Sequence, residues 1–136
     1  MDTHSIINLL HILFVTPLFL YVSIQRNDNP DAMFNFLLVL GGFITLYHLF
    51  KSYMKYKVNS PFLWVNLIHV FYVGPLLIYI GYNKKETPRV AYEILMLLAF
   101  AAGGYHLYQL AHYTTFSSQS SKQSSKQPSK QISDES

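Results

Sequence analysis

The stretch NLLHILFVTPLFLY at positions 8–21 returns as NLIHVFYVGPLLIY at positions 66–79. The two share Asn8/Asn66, Leu9/Leu67, His11/His69, Val15/Val73, Pro17/Pro75, Leu18/Leu76 and Tyr21/Tyr79 in one ungapped register of 58 residues. Carried outward, the same register superposes Pro30 on Pro88, Leu37 on Leu95, Leu40 on Leu98, Tyr47 on Tyr105, His48 on His106 and Leu49 on Leu107. Apolar coincidences are frequent in an apolar chain, whereas shared Asn, His and Tyr at fixed spacing are not. The chain therefore reads as a tandem duplication, with repeats at 1–58 and 59–116 and a tail at 117–136.

The repeated stretch is also too apolar for a soluble domain. The 136 residues are 51% hydrophobic and 12% charged, against about 25% charged in an ordinary globular chain. Every Lys and Arg lies outside four apolar runs at 5–24, 33–50, 62–82 and 92–111, and Glu93 stands only at the border of the last. Each run approaches the ~20 residues that cross a ~30 Å hydrocarbon layer. The expected fold is all-α, an integral membrane four-helix bundle built from two transmembrane hairpins.

Each repeat crosses twice, so both copies point the same way and the pseudo-two-fold axis runs along the membrane normal. No Lys or Arg precedes Arg26 and no small-residue cleavage site follows the first run, so that run is expected to stay in the mature protein. Lys51, Lys55 and Lys57, with Lys122, Lys126 and Lys130, face one side; Arg26, Lys84, Lys85 and Arg89 face the other. The excess of positive charge on the first side predicts both termini in the cytoplasm. Cysteine is absent, which excludes disulfides and thiolate sites.

The turns correspond as well: Asp28-Asn29-Pro30-Asp31 aligns with Glu86-Thr87-Pro88-Arg89. They supply candidate helix caps and a proline suited to a helix start. Pro17 and Pro75 instead lie inside the first helix of each hairpin, where a missing N–H and a ring clash predict a kink. Beyond residue 116 a Ser/Lys/Gln cadence cannot bury enough apolar surface to offset its ordering entropy, which predicts disorder. Its three lysines suit anionic lipid.

Four histidines, His11, His48, His69 and His106, fall within the apolar runs, and His4 and His112 at their borders. Intramembrane ionisable groups face the protein interior or a wet cavity. At ~100° per residue, Asn8 and His11 share a stripe with Val15 and Leu18, and Asn66 and His69 share the matching one. On the returning helices, Gly41, Thr45 and His48 form one stripe, and Ala99, Gly103 and His106 the other. Small residues allow close helix approach in lipid, so these histidines are expected on packing faces. All four should share one layer on the cytoplasmic side, near Asn8, Asn66, Tyr47 and Tyr105.

Such a layer suits three chemistries. Neutral His donates from one ring nitrogen and accepts at the other, so His, Asn and Tyr can pin the hairpins together; this favours a noncatalytic scaffold or assembly component. The same histidines can line a proton or cation pathway, or ligate a transition metal or haem iron. Cofactor-free packing is the leading expectation, with His11, His48, His69 and His106 as the metal candidates.

No Gly-x-Ser-x-Gly, His-Glu-x-x-His, phosphate-binding glycine loop or paired intramembrane carboxylate is present, so the reading leans away from an enzyme. Gly41-Gly42 and Gly103-Gly104 read as helix-packing sites. Tyr53, Tyr56, Trp64, Tyr82, Tyr92, Tyr108 and Tyr113 suit membrane interfaces. The expected partners are the lipid bilayer, further copies of the chain or other membrane proteins, and not nucleic acid.

Overall fold

A computed structural model describes the backbone of residues 3–124 and the side chains of residues 5–112. Among these the chain is all-helical, with no strand: α1 Thr3–Leu10, α2 Thr16–Gln25, α3 Asp31–Lys57, α4 Leu63–Ile68, α5 Gly74–Asn83 and α6 Arg89–Ser124. Short helical segments join several of these end to end. Four continuous stretches, Ser5–Asp28, Asp31–Lys57, Leu63–Glu86 and Arg89–His112, are long and apolar enough to cross a membrane. They are called here the first to fourth spans.

The prolines act one turn upstream of themselves. His11–Val15 and His69–Val73 are π-helical, and in each the carbonyl of the histidine accepts the N–H five residues on, from Thr16 and Gly74. Pro17 and Pro75 then open α2 and α5, where they have no N–H to contribute. Where the prolines predict a kink, the helix makes a wide turn that begins at the histidine, a device common at functional positions in helices.

At the far end of the first and third spans, Arg26 and Lys84 share φ 50° and ψ −124°. Neither is glycine, so this left-handed backbone is strained and needs support. Asn29 Nδ2 supplies it, donating to the carbonyls of Val22 at 2.9 Å and Arg26 at 2.7 Å. Thr87 Oγ1 donates to Ile80 O at 3.3 Å, and Tyr92 Oη to Lys84 O at 3.5 Å.

This corrects the capping expectation at α3. Pro30 stands at its N-cap without a side-chain bond, because Asn29 looks backward, to carbonyls left open where the preceding helix ends. Asn27 Nδ2 donates across to Lys85 O and Thr87 O, tying the two turns together.

Packing runs crosswise. α3 lies along α4 and α5, and α6 along α1 and α2, whereas α5 and α6, adjacent in the chain, touch only slightly. The second span therefore packs chiefly against the third, and the first against the fourth. The apolar core is drawn from all four: Phe19 and Val22, then Phe34 and Leu37, Leu77 and Ile80, and finally Tyr92 and Leu95. It fills the half of the bundle that leads to the two turns.

Tyr92, expected in an interfacial belt, is instead fully enclosed, with its ring in this core. The outer surface inverts the pattern of a soluble protein. Phe14, Val39, Leu46, Phe71, Leu97 and Phe100 all point outward, as lipid-facing residues would.

α6 continues to Ser124, into the segment expected to be disordered from residue 117. Residues 125–136 lie outside the described part, as do the side chains of His4, Tyr113 and the tail lysines.

Candidate functional site

The four histidines His11, His48, His69 and His106, one on each span, meet. The His106 and His11 rings stack at 4.0 Å between centroids with an interplanar angle of 26°, and those of His48 and His69 at 4.1 Å and 14°. His11 and His69 join the two stacks edge-to-face at 6.4 Å. The result is one row, His106–His11–His69–His48, with a ring from each span.

Asparagine fixes the outer members of the row. His48 Nδ1 lies 3.0 Å from Asn66 Oδ1, and His106 Nδ1 lies 2.9 Å from Asn8 Oδ1. An amide oxygen only accepts, so each imidazole donates from Nδ1. Asn66 Nδ2 is engaged with Phe62 O at 3.3 Å, which leaves its oxygen to face the histidine.

The inner members bond within their own helices: His11 Nδ1–H donates to Ile7 O at 2.9 Å and His69 Nδ1–H to Val65 O at 2.7 Å. All four neutral rings therefore carry the proton on Nδ1, with the Nε2 lone pair outside these bonds. Asn8, Asn66 and His106 are buried, among the few buried polar groups of the described chain.

The two His–Asn bonds are side-chain links between spans. One joins the second span to the third and the other the fourth to the first. Buried polar groups are costly unless paired, and here each closes on a partner from another span.

Tyr47 and Tyr105 flank the row edge-on, at 5.2 Å from His48 and His106 respectively. They differ in their other contacts. Tyr105 accepts from Gln109 Nε2 at 2.9 Å and meets Trp64 edge-on, whereas Tyr47 lies beneath the Lys51 ammonium at 5.8 Å.

The small residues expected on packing faces divide into two kinds. Gly41 and Gly103 press on neighbouring spans, but Gly42 and Gly104 face open space. A Cβ at Gly41 would lie 2.8 Å from Gly74 O and 2.8 Å from Ile78 N; one at Gly103 would lie 3.0 Å from Thr16 Cγ2. Thr45 Oγ1 donates to Gly41 O at 2.8 Å and occupies the space that a side chain at Gly74 would need. Ala99 is fully buried.

Sequence reasoning overlooked Gly74, Gly81 and Thr16, although the register contains a signal. Thr16 aligns with Gly74 and Thr45 with Gly103, so threonine and glycine exchange places between the copies.

For metal chemistry, the row has the right atoms in an unsuitable geometry. Stacked rings carry their lone pairs in parallel planes about 4 Å apart, which does not bring them onto one ion at the ~2.0–2.1 Å of a metal–imidazole bond. Among the described residues no group of three or more His, Asp or Glu side chains is placed to hold a metal ion. For a proton path, the row occupies one half of the bundle, and the other half is the apolar core.

Comparison with protein-family models, with curated proteins and with solved structures returns no match.

Proposed function

We propose that this chain is a noncatalytic multi-pass membrane protein, a scaffold or assembly component whose His/Asn/Tyr layer fixes the arrangement of its four spans. Two tandem hairpins, 1–58 and 59–116, make up the bundle, related by a pseudo-two-fold axis along the membrane normal. Supporting the duplication, the π turns, the strained residues Arg26 and Lys84 and the His–Asn bonds all recur at the 58-residue interval. The lysines around the second-to-third connection and in the tail favour that side, and both termini, as cytoplasmic.

The observation that carries the reading is the pair of bonds His48–Asn66 and His106–Asn8, each made between repeats and close to the stacked rings. Interhelical bonds of this kind contribute about 0.6 kcal/mol on average in membranes, and about 1.7 at most. Two such bonds and two stacks give a modest total that favours one register over its neighbours. Packing, rather than turnover, is what this constellation performs.

The test is thermal unfolding and assembly of detergent-purified protein. Replacing His48 or His106 by Ala is expected to lower the unfolding midpoint and loosen the bundle. Unchanged stability and assembly in both variants would overturn the proposal.

A further inference from the structure

The second span ends beside a feature unrelated to the histidine row. Between the last turns of α3 and the start of α4 lies an open groove of about 730 Å³, walled by Leu46, Leu49, Leu63 and Leu67, with Tyr53 and Tyr56 along its edge. Ser52 also lines it. The residue is 6% exposed, and its buried hydroxyl has no hydrogen-bond partner. A helical serine ordinarily bonds back to the carbonyl four residues earlier. A buried hydroxyl left unmatched is costly, and in a native protein it calls for an explanation.

Two lysines border this end of the groove. Lys57 Nζ sits 4.6 Å from the centroid of the Tyr53 ring, and Lys55 Nζ donates to Phe62 O at 3.4 Å, spanning the connection next to Leu63. Lys51, one residue before Ser52, turns its ammonium instead toward the Tyr47 ring, 5.8 Å from the centroid, outside the groove lining. The site thus combines an apolar trough, one spare hydroxyl donor and a cationic rim at the border of the spans. That order of chemistries matches a phospholipid: acyl chain, glycerol ester, phosphate.

We infer that this groove binds one anionic phospholipid, with an acyl chain along the leucines, an ester or phosphate oxygen accepting from Ser52 and the headgroup beside Lys55 and Lys57. Charge selects this occupant over a second copy of the chain. A two-fold contact would set the same patch against itself and bring the lysines face to face. It also selects among lipids, since each basic residue near a membrane surface favours anionic over neutral headgroups.

The groove has no counterpart in the other repeat. The positions corresponding to Ser52 and Tyr53 are Leu110 and Ala111, and that corresponding to Leu46 is Gly104. One lipid per chain is therefore the expected stoichiometry.

The inference rests on the membrane-spanning reading, and the experiment separates the two. The full chain is first tested for resistance to alkaline carbonate in membranes, then purified in detergent and offered phosphatidylglycerol or phosphatidylcholine under native mass spectrometry. The expected result is one retained phosphatidylglycerol under conditions that strip phosphatidylcholine. Retention should weaken roughly five-fold for Lys55→Ala and for Lys57→Ala and several-fold for Ser52→Ala, and should change least for Lys51→Ala. Leu49→Trp, at a half-exposed wall position, should block binding while leaving the unfolding midpoint near that of the parent.

Equal retention of both lipids, indifference to Leu49→Trp, or a dimer that forms in place of lipid binding would overturn the inference. Release by carbonate would overturn the membrane reading itself.

Discussion

The seam between the second and third spans and the seam between the first and fourth occupy corresponding places in the 58-residue register, yet they close differently. In the former, Gly41, Gly74 and Gly81 bring backbone against backbone: a Cβ at Gly81 would stand 2.5 Å from Leu38 N and 2.6 Å from Phe34 O. In the latter, the corresponding positions hold Ala99, Thr16 and Ser23, and its one glycine, Gly103, meets the side chain of Thr16. Each seam seats one threonine against one glycine, with the donor helix exchanged. The histidine row, by contrast, is matched in both halves. The two seams thus differ in how closely their helices approach, while the polar layer is alike on both sides.

The comparison breaks most visibly at Gly81 and Gly41. Alanine at either place drives a methyl into backbone atoms that cannot rotate away, and overpacking of this kind costs about 1–3 kcal/mol or more. Gly81→Ala is expected to be the most destabilising single change and Gly41→Ala the next, both read as a fall in the unfolding midpoint in detergent. A cost no larger than that of Gly103→Ala would mean that the two seams are equally loose.

Gly74→Ala and Gly103→Ala sharpen the same contrast, because each meets a threonine side chain as its principal obstacle. In a double-mutant cycle, Thr45→Gly should recover part of the cost of Gly74→Ala, and Thr16→Gly part of the cost of Gly103→Ala, with coupling of about 0.5–3 kcal/mol. The recovery at Gly74 should be incomplete, since His69 O and Gly41 O also lie within 3.2 Å of the added atom. Strict additivity in both cycles would dissolve the exchanged Thr/Gly pairing.

How much of this was legible beforehand depends on what periodicity encodes. Hydropathy located the four spans, and of the residues on the two stripes Asn8 and Gly41 are buried while His11 and His48 are half-buried. A stripe gives a direction around one helix but not the identity of the helix it meets. The crosswise pairing of spans was therefore out of reach. So were the ring stacks, whose spacing depends on two helix rotations and two side-chain torsions, and the backward reach of Asn29.

Gly74 and Gly81 escaped notice for a different reason. Small residues were sought on the returning helices leading to a histidine, and these two sit on an outgoing one.

Smaller effects test the matched part of the comparison. Asn66→Ala and Asn8→Ala should each cost about 0.6 kcal/mol, no more than about 1.7, and by nearly equal amounts, measured as paired shifts in stability. A large inequality would show that the polar layer has diverged along with the seams. Smallest of all are Gly42→Ala and Gly104→Ala. Both glycines face open space, and helix propensity favours alanine by up to about 1 kcal/mol, so stability should hold or rise slightly.

The crosswise arrangement also imposes an order of events on synthesis. The first span emerges from the ribosome with its principal partner, the fourth, still untranslated, and its Asn8 must wait for His106 at the other end of the bundle sequence. Only the second and third spans can settle against each other early, and theirs is the glycine-lined seam. A chain built in this way acquires its central pair first and is closed last by the two spans at its extremities, so a truncation after the third span would strand the first without a mate.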